Sequence, residues 1–131
     1  MIYLDANFFV FALLDTGTKG LNASRIQESI VEGREAVTSV LSLDELMWIL
    51  IKNRRRELIR RAIEGIYATP NLTVREVDSD VPLFALDFME KYDLKPRDAF
   101  HVAVMKSLGV NEIVSDDPDF DRIEWIKRIK I

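Results

Sequence analysis

Ile2-Tyr3-Leu4-Asp5 is the stretch of sequence from which the fold can be worked out. Three apolar residues followed directly by a carboxylate are typical of a short buried strand that ends at the edge of a sheet. Four later stretches are apolar or alternating, and we predict strands there as well: residues 36–40, 72–77, 112–115 and 125–131. Lys and Arg alternate along the last of them, which is typical of an edge strand.

Segments with helical periodicity separate these strands. We predict helices over residues 7–14, 22–33, 55–67 and 99–108, and two more that begin at Ser42 and after Asp80. Asn22 is expected to be an N-cap, with a loop over residues 16–20 before it. Because strands alternate with helices, the sequence predicts an α/β fold, a three-layer α/β/α sandwich with a mostly parallel central sheet, in one domain of residues 1–131.

Composition removes several classes of function. The chain has 131 residues, 48% of them apolar and 31% charged, which indicates a globular domain. It has no Cys and one His, which excludes disulfides, thiolate zinc sites and cysteine nucleophiles. The apolar stretch at residues 8–14 is too short to span a bilayer and follows no basic segment, so we expect a cytoplasmic protein without a membrane anchor.

Carboxylates remain abundant, and the predicted topology gathers them. Asp5 ends the first strand, Glu45 falls in the first turn of the helix after the second strand, and Asp98 falls in the first turn of the helix before the fourth strand. Three further acids follow that fourth strand directly: Asp116, Asp117 and Asp119. The carboxyl ends of parallel strands share one edge, so these groups would crowd and repel unless a cation neutralised them. Oxygen ligands without His or Cys suit Mg²⁺ or Mn²⁺, which activate water and stabilise phosphoryl transition states.

Several of these residues also have a purely structural explanation. Glu45 could complete a capping box with Ser42, and Asp98 could complement a helix dipole. His101, one helical turn after Asp98, is expected to be a packed or surface histidine, since no second His or Cys could cooperate with it. The common placement of the acids at one edge favours a functional site.

Four short motifs in this order resemble the PIN-domain ribonuclease family, and in particular its VapC-type toxins. The motifs are Tyr3-Leu4-Asp5-Ala6-Asn7, Ser42-Leu43-Asp44-Glu45-Leu46, Arg97-Asp98-Ala99-Phe100-His101-Val102-Ala103 and Ile113-Val114-Ser115-Asp116-Asp117-Pro118-Asp119-Phe120. The resemblance implies cleavage of single-stranded RNA that depends on Mg²⁺ or Mn²⁺. It also implies a homodimer and a small antitoxin partner.

The resemblance assigns roles to individual residues. Asp5 and Asp98 would be the principal metal ligands, and Glu45 would assist through water. Asp117 would be the last acid, and Asp116 or Asp119 could replace it.

Polar supports for the acids are implied as well. Asn7 and Ser115 would orient Asp5 and the neighbouring backbone.

RNA needs a local basic surface, because the net charge is −4. The densest basic segment is Arg54-Arg55-Arg56, which could equally be the solvated face of a helix. Arg97, beside Asp98, is a second candidate for phosphate contact. The alternative function is a catalytically silent PIN-like module that binds RNA or protein.

Overall fold

A computed structural model describes residues 1–131 and contains one five-stranded sheet. The strands are β1 (Ile2–Leu4), β2 (Ala36–Ser39), β3 (Leu72–Arg75), β4 (Glu112–Val114) and β5 (Lys127–Ile129). Their order is β3-β2-β1-β4-β5, and every neighbouring pair is parallel. The predicted strands are therefore all present, and β5 is an edge strand as its charge pattern indicated.

Six α-helices and two short 3₁₀ helices connect the strands. They are α1 (Ala6–Leu14), α2 (Thr18–Val31), α3 (Val40–Lys52), α4 (Ile59–Ala68), α5 (Val81–Tyr92) and α6 (Pro96–Leu108), with 3₁₀ helices over Arg56–Leu58 and Pro118–Arg122. Gly109 ends α6 in the left-handed conformation (φ 68°), which a glycine adopts without the clash that a Cβ would cause.

The sheet separates two hydrophobic cores, so the predicted three-layer α/β/α fold is confirmed. Ile2 and Leu4 of β1 pack into the core that α1 to α4 cover, whereas Tyr3 points to the core beneath α5 and α6. This alternation follows from the two-residue period of a strand. Because both faces of β1 are covered, all three of its residues are buried and apolar.

The second helix begins earlier than its sequence indicates. We predicted a loop over residues 16–20 and an N-cap at Asn22, but α2 starts at Thr18 and Asn22 lies inside it. The Asp15 carboxylate accepts hydrogen bonds from the backbone N–H groups of Gly17 and Gly20 and so holds the first turn. A Cβ at Gly20 would lie 2.0 Å from the Asp15 carbonyl oxygen, so this glycine permits a close approach of two backbones and is not a helix breaker.

The third helix corrects the capping-box interpretation. Its N-cap is Ser39, and Ser42 is a buried residue within α3 whose hydroxyl donates to the Leu4 carbonyl oxygen at 3.3 Å. Glu45 consequently lies in the second turn, not in the first turn as we predicted. The Glu45 carboxylate therefore does not cap α3 and is available for contacts with other side chains.

The strand order creates a crevice between β1 and β4. The chain leaves β1 toward β2 and leaves β4 toward β5, so the connections diverge from this central pair. Crevices of this kind, at the carboxyl ends of the strands, are where open α/β sheets bind ligands. Leu4 is paired with Val114, and the next residues along the two strands are Asp5 and Ser115.

None of the six helices has the length and hydropathy that crossing a bilayer requires.

Candidate metal centre

Asp5 lies at the carboxyl end of β1 and is only 5% exposed. Its Oδ2 atom accepts a hydrogen bond from the Ser115 hydroxyl at 2.6 Å and a longer one from the Asn7 amide at 3.4 Å. Burial raises the pKa of Asp5, and Glu45 adds to this, whereas His101 and the Ser115 hydroxyl oppose it. Asn7 and Ser115 therefore lie where a support for Asp5 was expected, and they restrict the orientation of its carboxylate.

A second group of carboxylates adjoins Asp5. Oxygen atoms of Asp98, Asp117 and Asp119 lie within 4.8 Å of one another. Burial raises the pKa of Asp98 to about 6, and the negative charges of Asp117, Asp5 and Asp119 contribute to the rise. The structure therefore brings acids from β1, from the start of α6 and from the segment after β4 into one electrostatic cluster, as predicted.

Glu45 joins this cluster through the only histidine. The Nε2 atom of His101 lies 2.5 Å from Oε1 of Glu45, and its Nδ1 atom lies 2.7 Å from the Tyr3 hydroxyl. Burial alone would lower the pKa of His101, but Tyr3, Glu45 and Asp5 together raise it to about 10. Both ring nitrogens of the charged form donate, so the Tyr3 hydroxyl accepts from Nδ1 and can itself donate a hydrogen bond to the Ser39 hydroxyl, 2.8 Å away.

Asp116 lies outside the groups of closely spaced acids. Its carboxylate forms an ion pair with Lys19 of α2. It belongs to neither of the two groups of closely spaced ligand atoms, which are Asp5, Glu45 and His101 in one and Asp98, Asp117 and Asp119 in the other. Asp117 faces Asp98, and its own Oδ1 atom accepts the backbone N–H of Asp119 at 2.9 Å. Of the three acids that follow β4, Asp117 and Asp119 thus lie in the cluster and Asp116 lies outside it.

The donor set of the cluster fits a hard divalent cation. The ligand atoms are carboxylate oxygens, because both nitrogens of His101 are occupied by Tyr3 and Glu45. Burial raises the pKa of Asp98, the negative charges of Asp117, Asp5 and Asp119 add to the rise, and a bound cation would favour the ionised carboxylates. Such an all-oxygen set suits Mg²⁺ or Mn²⁺ and does not suit zinc.

An open pocket of about 560 Å³ gives access to the cluster. Its walls include Asp98 and Asp117, together with the neighbouring cations Lys95 and Arg97. The exposed Arg97 side chain has its Nε atom 4.0 Å from Oε1 of Glu45. A negatively charged ligand could therefore approach the acids beside the positively charged side chains of Lys95 and Arg97.

Comparison with protein families agrees with this arrangement. Residues 2–126, nearly the whole chain, match the PIN domain. The chain belongs to the PIN-domain family. The resemblance inferred from the four sequence motifs is thereby confirmed.

Relatives and solved structures of similar shape include VapC proteins. The VapC ribonuclease Mb1869c of Mycobacterium bovis is 31% identical, over 98% of this chain and 99% of the relative. The crystal structure of Mycobacterium tuberculosis VapC20, described as a toxin that cleaves the sarcin–ricin loop, has a TM-score of 0.78 at 21% identity and covers 92% of this chain and 93% of its own. A toxin–antitoxin complex from Klebsiella pneumoniae has a TM-score of 0.70 at 17% identity, with 97% and 96% covered.

The predicted basic segment, Arg54-Arg55-Arg56, forms no salt bridge with the acids of the cluster. Arg54, Arg55 and Arg56 are exposed residues at the connection between α3 and α4, and Arg55 is paired with Glu57. Of the four arginines predicted to bind RNA, Arg97 is the one paired with an acid of the cluster, since its Nε atom lies 4.0 Å from Glu45.

Sequence reasoning missed the contacts of three residues in or beside the PIN-domain cluster. His101 was expected to be a packed or a surface histidine; it is buried, and its bond to Glu45 was not foreseen. Lys19 and Arg128 were not considered for the site, although they hold Asp116 and the Ser115 carbonyl group. The spacing of Asp98 and His101 on one helical face was the only signal in the sequence that could have drawn attention to any of them.

Proposed function

We propose that this PIN-domain protein is an endoribonuclease of the VapC type that cleaves single-stranded RNA and depends on Mg²⁺ or Mn²⁺. The observation that carries the proposal is the convergence of Asp5, Glu45, Asp98, Asp117 and Asp119 beside an open pocket. The ribonuclease Mb1869c, with which this chain shares 31% identity over nearly its whole length, supports the same activity.

We assign the metal to Asp98, Asp117 and Asp5, with Asp119 as a further carboxylate in reach and Asp116 excluded by its pairing with Lys19. When bound, such a cation lowers the pKa of a water molecule and neutralises charge on the scissile phosphate. Asp5 is held in one orientation for this task by Ser115.

Other side chains of the site act on the substrate and on protons. Arg97 is exposed on the rim of the pocket and is suited to contact a phosphate oxygen of the RNA. Glu45 accepts the Nε2–H of His101 at Oε1, which leaves Oε2 to orient an attacking water and take its proton. Arg54, Arg55 and Arg56 would contact the RNA farther along the strand or an acidic partner segment.

Two partners follow from the same proposal. A small antitoxin would bind the protein, and the toxin–antitoxin complex from Klebsiella pneumoniae, whose structure is similar to this chain, supports such a partner. We also propose a homodimer, because Leu83, Phe84 and Leu86, all on α5, are large apolar side chains that are more than half exposed. Light scattering of the purified protein would test the dimer. The cytoplasmic location indicated by the sequence stays a prediction.

Incubation with single-stranded and base-paired RNA tests the ribonuclease activity. We expect cleavage of the single-stranded RNA with Mg²⁺ or Mn²⁺, and loss of cleavage with EDTA or in the Asp5→Asn and Asp98→Asn variants. Asp44→Asn is the matched control, because Asp44 is an exposed carboxylate on α3 outside the cluster. Equal cleavage by Asp98→Asn and the wild type would refute the assignment. Binding of RNA without cleavage by the wild type would favour the catalytically silent module.

A further inference from the structure

Arg128 has an unusual environment for a charged residue on an edge strand. It lies on β5, yet its side chain is only 6% exposed. Its Nε and Nη2 atoms donate to both carboxylate oxygens of Asp121, at 2.9 and 2.8 Å, and its Nη1 atom donates to the Ser115 carbonyl oxygen at 3.2 Å. A planar guanidinium that is engaged on two sides has little freedom to reorient.

The two partners of Arg128 lie at opposite ends of one segment. Ser115 is the first residue after β4, and Asp121 lies in the 3₁₀ helix Pro118–Arg122. The residues between them include Asp117 and Asp119, two acids of the cluster. By binding both ends at once, the guanidinium closes this segment, residues 115–121, into a loop of defined shape.

The contact with Ser115 also connects Arg128 to Asp5. The backbone carbonyl oxygen of Ser115 accepts a hydrogen bond from Arg128, and the side-chain hydroxyl of Ser115 donates one to Oδ2 of Asp5 at 2.6 Å. The same hydroxyl oxygen accepts the backbone N–H of Asp117 at 3.1 Å. Any change in the position of the Ser115 backbone would therefore alter the relation between Asp5 and Asp117.

Charge supplies a second reason for a cation at this place. Four carboxylates lie in the six residues from Asp116 to Asp121, and they repel one another. The hydrogen bonds to Asp121 raise the pKa of Arg128 above its usual range, and the charges of Asp116 and Asp117 contribute. The guanidinium of Arg128 thus adds to the positive charges of Lys19 and Arg122, which pair with Asp116 and Asp119, and so reduces the repulsion among the carboxylates of this loop.

We propose that Arg128 is a positioning residue for the metal centre, which holds the 115–121 loop so that Asp117 and Asp119 face Asp98. The proposal rests on the proposed metal-binding function of the cluster. Arg128 would touch neither the metal nor the RNA, and its effect would pass through Ser115 and Asp121.

Metal affinity separates this role from a simple effect of charge. Removal of a positive charge near a cation site strengthens cation binding if charge alone matters. Loss of a positioning residue weakens it, by about 10-fold or more for partners that orient metal ligands. The Arg128→Met variant therefore gives opposite signs for the two explanations, and Arg128→Lys keeps the charge while it removes the two-sided guanidinium contact.

Titration calorimetry with MnCl₂ on the purified full-length protein provides the first measurement. We expect Arg128→Met to bind Mn²⁺ about 10-fold more weakly than the wild type, and Arg128→Lys to be weakened in the same direction. The matched control is Lys127→Met, which removes a cation from the same strand, where Lys127 is exposed and its Nζ atom lies 3.7 Å from Glu112. Its affinity should equal that of the wild type or be slightly higher.

Hydrogen exchange of the Asp117 and Asp119 amides in the metal-free protein provides a second measurement, and it needs no bound metal. Both amides donate within the loop, so we expect them to exchange faster in the two Arg128 variants and at the wild-type rate in Lys127→Met.

The possible outcomes separate the two proposals. Unchanged or tighter Mn²⁺ binding by Arg128→Met, or equal weakening by Lys127→Met, overturns the positioning role. If Arg128→Met does not fold, the Mn²⁺ affinity of Arg128→Lys is the test. An affinity equal to that of the wild type in Arg128→Lys also overturns the positioning role. If the wild type itself binds no Mn²⁺, the proposed metal function fails, whereas the exchange rates still decide whether Arg128 holds the loop.

Discussion

The imidazole of His101 joins Glu45 to Tyr3, with its Nε2 atom 2.5 Å from the Glu45 carboxylate and its Nδ1 atom 2.7 Å from the Tyr3 hydroxyl. These contacts connect α6, α3 and β1 beneath the acidic cluster. Glu45 is therefore held by a buried charged partner, which explains how a residue in the second turn of α3 is directed toward Asp5.

Replacement of His101 should reduce both stability and activity. We expect His101→Gln to lower the free energy of unfolding by about 3–5 kcal/mol, because one partner of a buried ion pair is removed. Cleavage should fall as well, since Glu45 loses its orientation. Urea denaturation and RNA cleavage measure the two effects. Tyr3→Phe is the milder control, expected to cost about 1–3 kcal/mol because it removes the hydroxyl contacts with His101 and Ser39 but keeps the ion pair. Wild-type stability of His101→Gln would contradict the arrangement.

Removal of the Asp98 charge should stabilise the metal-free protein while it abolishes cleavage. Burial, with the negative charges of Asp117 and Asp5 added to it, raises the pKa of Asp98 to about 6, so its ionised form at neutral pH is unfavourable. We expect Asp98→Asn to gain about 1–2 kcal/mol after allowance for solvent screening. Thermal unfolding in EDTA measures the gain, with Asp44→Asn as the control. A lower melting temperature for Asp98→Asn would contradict the repulsion.

The same pKa sets the direction of a pH effect. In the unfolded chain Asp98 ionises near its ordinary pKa of 3.8, and in the folded protein only near 6. Between these values the folded state binds more protons, so stability falls as the pH rises from about 4 to about 6 and then stays lower.

The contribution of Asp98 is isolated by comparison with a variant. The difference in unfolding free energy between the wild type and Asp98→Asn should grow over that pH range in EDTA, and Mn²⁺ should reverse it by stabilising the wild type. A difference that is independent of pH would show that Asp98 ionises normally in the folded protein.

Asp116 and Asp117 should respond differently to the same substitution. Asp117 faces Asp98, whereas Asp116 is paired with Lys19. We expect Asp117→Asn to reduce cleavage by about 100-fold or more, and Asp116→Asn to stay within about threefold of the wild type, because an exposed ion pair contributes little. Cleavage rates at saturating Mn²⁺ test this. Inactivity of Asp116→Asn together with full activity of Asp117→Asn would reverse the assignment.

Much of the fold could be predicted because its signals are local. The apolar run before Asp5, the alternation of strands with helices and the lysines and arginines of β5 each reflect the surroundings of a single element, and all were confirmed. The errors at α2 and α3 have one cause. Gly20 and Ser42 looked like helix boundaries, but a close approach to Asp15 and a bond to the Leu4 carbonyl explain them better.

Residue types and their order along the chain were sufficient to indicate the family and the acids at the carboxyl edge of the sheet. Which of those acids face one another depends on contacts between residues that are far apart in sequence. Lys19 with Asp116, Tyr3 with His101 and Arg128 with Ser115 are such pairs. Local sequence patterns do not predict these pairs, because each pair forms only when the sheet and the helices pack together. Packing buries the charges and hydroxyls, and leaving them unpaired would then be costly.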